Sequence, residues 1–281
     1  MTDACVASLH VYPVKGCRGI APASVTVATT GFVTEGIGDR EWMVVDRAGR
    51  FVTQRELPRL ALVQTAVVAG ALTLSVPHVA ALVVPTDRAA GPSRDVIVWN
   101  SEVRGIDMGD AAADWLSAWL AADMRLVRFD RSAVRACNPE FAGDSGAHTL
   151  FSDGYPILVI GEASLADLND RLAARGQPAL PMNRFRPNLV LRGLPPFAED
   201  HLDTIAAGGV VLRCVKPCVR CQVTTTDQDS AQVGMEPLRT LGEYRMSERA
   251  GGVTFGMNAI VIAGAESPLT TGAAARADYR F

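Results

Sequence analysis

The chain has 281 residues, 48% hydrophobic and 20% charged, enough to bury a sizeable core in one large or two small domains. Thirty acidic residues against 27 basic ones give a formal net charge of −3, which excludes a bulk positive field for nucleic acid or anionic lipid, so any bound anion must be gripped by placed cations. No apolar window runs clean for the ~20 residues that span a bilayer, and the N-terminus MTDACVASLHVYP lacks the basic start of a secretory signal; together these predict a cytoplasmic protein.

In chain order, short β-branched or alternating runs at 4–12, 23–28, 41–46, 59–69 and 71–76, separated by Gly, Pro, Asn or Asp signals, predict the strands of a barrel or sandwich. Within them ALVQTAVVAGALTLSVP reads as a hairpin turning at Ala69-Gly70. No nucleotide glycine fingerprint follows any of these strands. Asp110 is placed to cap a helix over AAADWLSAWLAAD, with Trp115, Leu116, Trp119 and Leu120 on one core-facing side. Residues 130–148, RSAVRACNPEFAGDSGAHT, are dense in turn formers and read as a long surface loop that sets substrate selectivity. A second helix, following the strand YPILVIG, runs from a Ser164 cap to a stop at Gly176. Further strands are predicted at 187–192, 209–214, 221–226 and 257–263, and the tail at 272–277 is biased to small residues.

Six cysteines with only 214, 218 and 221 grouped do not make a secreted disulfide framework, and Cys5, Cys17 and Cys137 read as isolated, reduced residues of the core or its edge. The group lies in CVKPCVRCQVTTTD. A structural zinc needs four closed ligands, but the chain supplies one CxxC, one thiol upstream and no HxxxH. A thioredoxin-like pair needs its first cysteine at a helix N-terminus, whereas the residues after Cys221 favour a strand. Two readings stay open: buried inert thiols, or a single thiolate presented to a soft metal. A free thiol with a pKa of about 8.5 is mostly protonated at neutral pH, so the second draws on the flanking cations Lys216 and Arg220.

Five segments in order, YPVKGCRGI (12–20), GDREWMVVDRAGRFVTQRELPRLALV (38–63), DGYPILVIGEASLADLNDRL (153–172), RFRPNLVL (184–191) and KPCVRCQVTTTDQDSAQVG (216–234), resemble the MOSC proteins. The nearer likeness is to the branch with an N-terminal MOSC β-barrel domain, which includes the amidoxime-reducing components and bacterial reductases of N-hydroxylated compounds. The resemblance implies an α+β, mostly β fold. An N-terminal β-barrel-like domain over residues 1–123 would pack on a MOSC β-barrel domain over 124–281, with a few helices.

It also implies a molybdenum cofactor. Cys221, the second cysteine of the CxxC, would ligate the metal, the molybdopterin would bring the other sulfurs, and Cys218 would stand beside the ligand. Lys15, Arg40 and Arg186 match positions that hold the cofactor, whose phosphate needs local cations. Asn188, Thr224 and the Ser152-Asp153-Gly154 turn match further positions around it, and Gly16 offers a backbone N–H where the family usually has serine. Asp227 is a candidate proton donor, with a turn-forming role in TDQDS as the alternative. The implied reaction is a two-electron reduction of hydroxylamines, amidoximes or N-hydroxylated bases. Its electrons would come from a separate reductase or an iron–sulfur, flavin or haem protein, since no ferredoxin-like domain follows. No nucleic-acid or membrane partner is expected. Val219 replaces a serine of the amidoxime-reducing members, and the tail TTGAAARADYRF departs from the family's terminal turn, which implies an irregular last strand. Two other classes fit the same residues: a sulfur carrier using a cysteine persulfide, and a molybdenum-cofactor-binding or storage module without reductase activity.

Overall fold

The computed structural model describes residues 2–86 and 91–280. Alternation along Ser24–Ala28 and Ala71–Ser75 gives each strand one buried and one less buried face, as a pleated strand requires. Seven strands close on themselves in the order Ile157–Gly161, Leu189–Arg192, Thr2–Leu9, Ala274–Tyr279, Leu202–Ala207, Val210–Val219 and Gly252–Ala263, the last pairing back onto the first. Closure leaves this sheet with no ladder edge along the ring. The one parallel pairing in the ring, Ile157–Gly161 with Leu189–Arg192, is the one bridged by the helix Glu162–Ala173, because parallel neighbours need a long crossover. Val6, Leu9, Leu191, Ile205, Leu212 and Met257 belong to the core cluster of this barrel.

The N-terminal half has its own core of Trp42, Val44, Leu60, Leu72, Leu74, Leu116 and Leu126. A five-stranded sheet (Ser93–Val98, Ser101–Asp107, Arg125–Phe129, Trp42–Val45, Val14–Lys15), a three-stranded sheet beginning at Gln64–Val68 and the helix Asp110–Leu120 contribute to it. The fold is therefore the α+β, mostly β architecture expected. In space, the first strand belongs to the second barrel and Ser267–Thr270 pairs with Ser24–Ala28, so the halves exchange strands. Among the described residues no helix is long and apolar enough to cross a membrane.

The hairpin turns where expected, with Ala69 and Gly70 at φ 49° and 74°. Other local expectations are corrected. Residues 59–62 form part of a 3-10 turn, Pro58–Leu62, because Pro58 fits a first helical position and has no N–H for a ladder. Asp110 is the first helical residue, not the cap: Gly109 takes the cap at φ 92°, and the Asp110 carboxylate pairs with Arg125 at 2.8 Å. Trp115 and Trp119 border the core half-buried, their indole N–H groups donating to Ala80 O (2.7 Å) and Arg59 O (3.3 Å). Ser164 is inside its helix, where its hydroxyl donates to the buried Glu199 at 2.7 Å and accepts the Phe197 N–H at 2.8 Å; Gly176 follows the helix end at φ 67°.

The predicted strand at 221–226 is a 3-10 turn, Gln222–Thr225. The Thr224 and Thr225 hydroxyls each donate to the carbonyl three residues back, both at 2.9 Å, and this local bonding overrides the β propensity of threonine. The tail, expected to be irregular, forms the strand Ala274–Tyr279 paired on both sides, because Ala275 and Ala277 are small enough for the closed interior and the neighbouring strands satisfy its backbone.

Candidate active site

A cleft of about 370 Å³ opens where the two halves meet, and both line it. Val14–Lys15 runs parallel to Trp42–Val45, which brings Lys15 close to the segment carrying Arg40. The Lys15 ammonium is buried and donates to Phe151 O at 2.9 Å and to Asp153 Oδ1 at 2.5 Å. Burial pushes its pKa down, and Asp153 only partly restores it. For Asp153 itself, desolvation works to raise the carboxyl, but Lys15, the Trp99 N–H and Arg40 outweigh it and hold the group well below the usual carboxylate range.

Arg40 and Arg186 both sit at positive φ, 49° and 55°, a costly backbone conformation for residues with a Cβ. Their guanidinium carbons lie over the same Tyr12 ring, at 4.3 and 4.2 Å. Arg40 is ion-paired with the buried Asp39 at 2.5 Å. Burial would lower its pKa, but Asp39 outweighs burial and raises it. Among the described residues Arg186 has no carboxylate partner: it donates to Cys17 O at 2.7 Å, its Nη2 is buried with no partner there, and burial, with Arg40 nearby, lowers it to about 10.

Asn188, expected against the cofactor, is saturated by the protein: its Nδ2 donates to Asp39 Oδ1 (2.9 Å) and His10 O (3.2 Å), and its Oδ1 accepts from Leu158 N and Arg40 Nη1, both at 3.1 Å. It therefore positions Arg40. Gly16 turns at φ 84° and its carbonyl accepts from Gln54, whose amide also pairs with that of Gln228 across the halves. Ser152, Asp153 and Gly154 all line the cleft, and the Ser152 hydroxyl is buried without a partner among the described residues.

Cys221 is exposed in the cleft at the start of the Gln222–Thr225 turn, its carbonyl accepting the Thr224 hydroxyl at 2.9 Å. Cys218 is half-buried and receives an N–H from Arg220 at 2.8 Å; the other end of that guanidinium donates to Phe185 O at 2.7 Å. The thiols of the cluster are thus not all buried: Cys214 is buried, Cys218 half-buried and Cys221 exposed.

Of the described residues, six cations (Lys15, Arg40, Arg55, Arg186, Lys216, Arg220) and one acid, Asp153, line the cleft. Among the described residues no three His, Cys, Asp or Glu side chains converge to hold a metal ion. The unpaired donors of Arg186 and Ser152, the excess of cations and the single exposed thiol together fit an anionic group that carries its own metal ligands.

Asp227, read from the sequence either as a proton donor or as a turn former, does not line the cleft and forms the turn; the proton-donor expectation is corrected. Its Oδ1 accepts from Asp229 N (3.1 Å), Ser230 N (2.9 Å) and Ser230 Oγ (2.9 Å), and its Oδ2 pairs with Arg184 at 3.0 Å. Desolvation opposes ionisation, but these hydrogen bonds and Arg184 win and lower the pKa, which is wrong for an acid that must give up a proton near neutrality. Arg184 in turn donates to Thr225 O at 3.1 Å, bracing the turn that follows Cys221. Asp227→Asn should cost about 1 kcal/mol at pH 7, the range of a solvent-screened pair. The gap to wild type should close as pH falls through the depressed carboxyl value, because a protonated aspartate offers Arg184 no more charge than asparagine does. Urea unfolding against pH checks this, with the shape of any pH–rate profile unchanged.

No residue of 130–148 lines the cleft, so the loop expected to govern selectivity does not touch it. Its Arg135 instead props the lip, donating to Leu150 O (3.1 Å), Ser152 O and Asp153 O (2.8 Å). The lining residues that sequence reasoning missed include Gln54, Arg55, Trp99 and Phe185. Trp99-Asn100, a two-residue gap between alternating runs, was the available signal for the hairpin Ser93–Val98/Ser101–Asp107.

Residues 3–123 match the MOSC N-terminal beta barrel domain and residues 147–274 the MOSC domain. The chain is 34% identical over 248 residues to mitochondrial amidoxime reducing component 2 of Bos taurus, covering 86% of this chain and 73% of that protein. It is 35% identical over 252 residues to mitochondrial amidoxime-reducing component 1 of Homo sapiens, covering 86% and 72%. With two domain matches in tandem and relatives aligned through both, the chain belongs to the MOSC family, in the branch of the mitochondrial amidoxime-reducing components.

Proposed function

We propose that this protein is a molybdenum-cofactor-dependent reductase of N-hydroxylated compounds, working in the cytoplasm with a separate electron-donating protein. The observation that carries the reading is the exposed Cys221 thiol in a cation-rich cleft whose Arg186 and Ser152 donors lack partners, in a chain related to proteins named for reducing amidoximes. Six unpaired cysteines fit a reducing compartment.

When bound, the cofactor supplies the two-electron redox chemistry. The chain supplies the thiolate of Cys221 as the protein's metal ligand, the forked guanidinium groups of Arg40 and Arg186 and the ammonium of Lys15 for the anionic end, and the Ser152 hydroxyl as a donor. Asp153, exposed at the mouth and kept ionised, holds Lys15 in place. Cys218, fixed by Arg220, and Thr224, bonded to the Cys221 carbonyl, set the ligand's backbone. The overall change, R–NH–OH plus two electrons and two protons to R–NH2 plus water, draws its protons from solvent, since Asp227 is turned away. Protein made in a cofactor-competent host should hold near-stoichiometric molybdenum and oxidise a reduced dye in the presence of benzamidoxime or hydroxylamine. Molybdenum without turnover would favour a storage or binding role, and a labelled persulfide on Cys218 or Cys221 without molybdenum would favour sulfur transfer.

A further inference from the structure

Trp99 breaks a local rule. It occupies the first turn position of the Ser93–Val98/Ser101–Asp107 hairpin at φ 55°, a site that suits Gly, Asn or Asp. In return the indole is held out of the core, 42% exposed, on the cleft lining. Its N–H donates to Asp153 Oδ1 at 3.0 Å, the Phe51 ring lies 5.0 Å from it and the Arg55 guanidinium 4.8 Å from its centroid. Lys15 lies over the same Phe51 ring at 5.4 Å, so cations and aromatic rings alternate along this wall. An exposed indole beside the thiol-bearing cleft is a flat apolar surface set among the cations Lys15 and Arg55 of this wall, and stacking is the interaction it offers.

We propose that Trp99, backed by Phe51 and Arg55, is the platform on which flat, π-delocalised N-hydroxylated substrates lie, and that it sets a preference for aryl over small aliphatic members. The proposal rests on the reductase reading for its substrate class. Trp99 is here a specificity residue that acts through its ring face.

Cofactor-loaded wild type, Trp99→Phe and Trp99→Asn are titrated with benzamidoxime and acetamidoxime without reductant, then assayed with a reduced dye. The two compounds share the reacting group and differ in the ring. Trp99→Asn, a residue the turn favours, should lower the aryl-to-aliphatic preference about tenfold in both Kd and KM, with little of the change in kcat, whereas Trp99→Phe should keep it within about threefold. A ratio unmoved in Trp99→Asn overturns the platform. So does an equal fall in Trp99→Phe, which would assign the effect to the N–H bond to Asp153. A wild type that holds molybdenum and turns over neither compound defeats the reductase reading, and the Kd ratio then still decides the platform.

Discussion

Replacing Cys221 by serine is expected to abolish molybdenum retention and turnover together, while the same change at Cys218 leaves the metal in place and lowers turnover about ten- to hundredfold. The asymmetry follows from position. Cys221 is exposed in the cleft, and a serine hydroxyl is too hard and too weakly acidic to replace a soft thiolate. Cys218 is half-buried and bonded to Arg220, so its loss frees that guanidinium but leaves the ligand's turn held by Thr224 and Arg184. Elemental analysis and a reduced-dye assay on both variants read the difference. Equal loss from both would mean that the thiols act as a pair, through a disulfide or a shared sulfur, and the single-ligand reading would fall.

Arg186→Met should separate stability from binding. Without cofactor the variant is expected to be more stable by about 1 kcal/mol, since a buried charge without a carboxylate partner, next to Arg40, is exchanged for an apolar group of similar length. Retention of the anionic cofactor should fall about a hundredfold, the loss expected for strong charge-assisted hydrogen bonds. Linkage gives the same sign. A base with a folded pKa near 10, below its unfolded value, binds fewer protons folded than unfolded, so the wild type gains stability as pH rises above about 10 and the variant does not. Urea unfolding of the cofactor-free proteins and molybdenum content after dialysis are the measurements. A variant that is less stable yet retains metal would make Arg186 a structural residue. Arg186→Lys, which keeps charge without the fork, should hold an intermediate amount.

The strand-rich character and the grouping of the cysteines were legible from local spacing, through alternation of apolar residues and turn residues at short intervals, whereas the cations of YPVKG, GDREW and FRPN were singled out only by the resemblance of those segments to a family. The roles of those residues were less so. Arg40 and Arg186 are 146 positions apart and act as a pair only because both stack on Tyr12, and the support that Asn188 gives Arg40 shows only once its four hydrogen bonds are seen.

By itself, then, the order of residues determined what chemistry the protein carries: thiol, guanidinium and hydroxyl groups in recognisable strings, on a chain rich in short strands. Only the tertiary structure decided which of these share a cleft. It decided between the two readings of Asp227, kept the 130–148 loop off the lining, and swung Trp99 in beside Asp153. The reason is physical. Side-chain identity and local period are properties of neighbouring residues, whereas convergence depends on strand exchange between Thr2–Leu9, Ser267–Thr270 and their distant partners, set by the burial of two cores together.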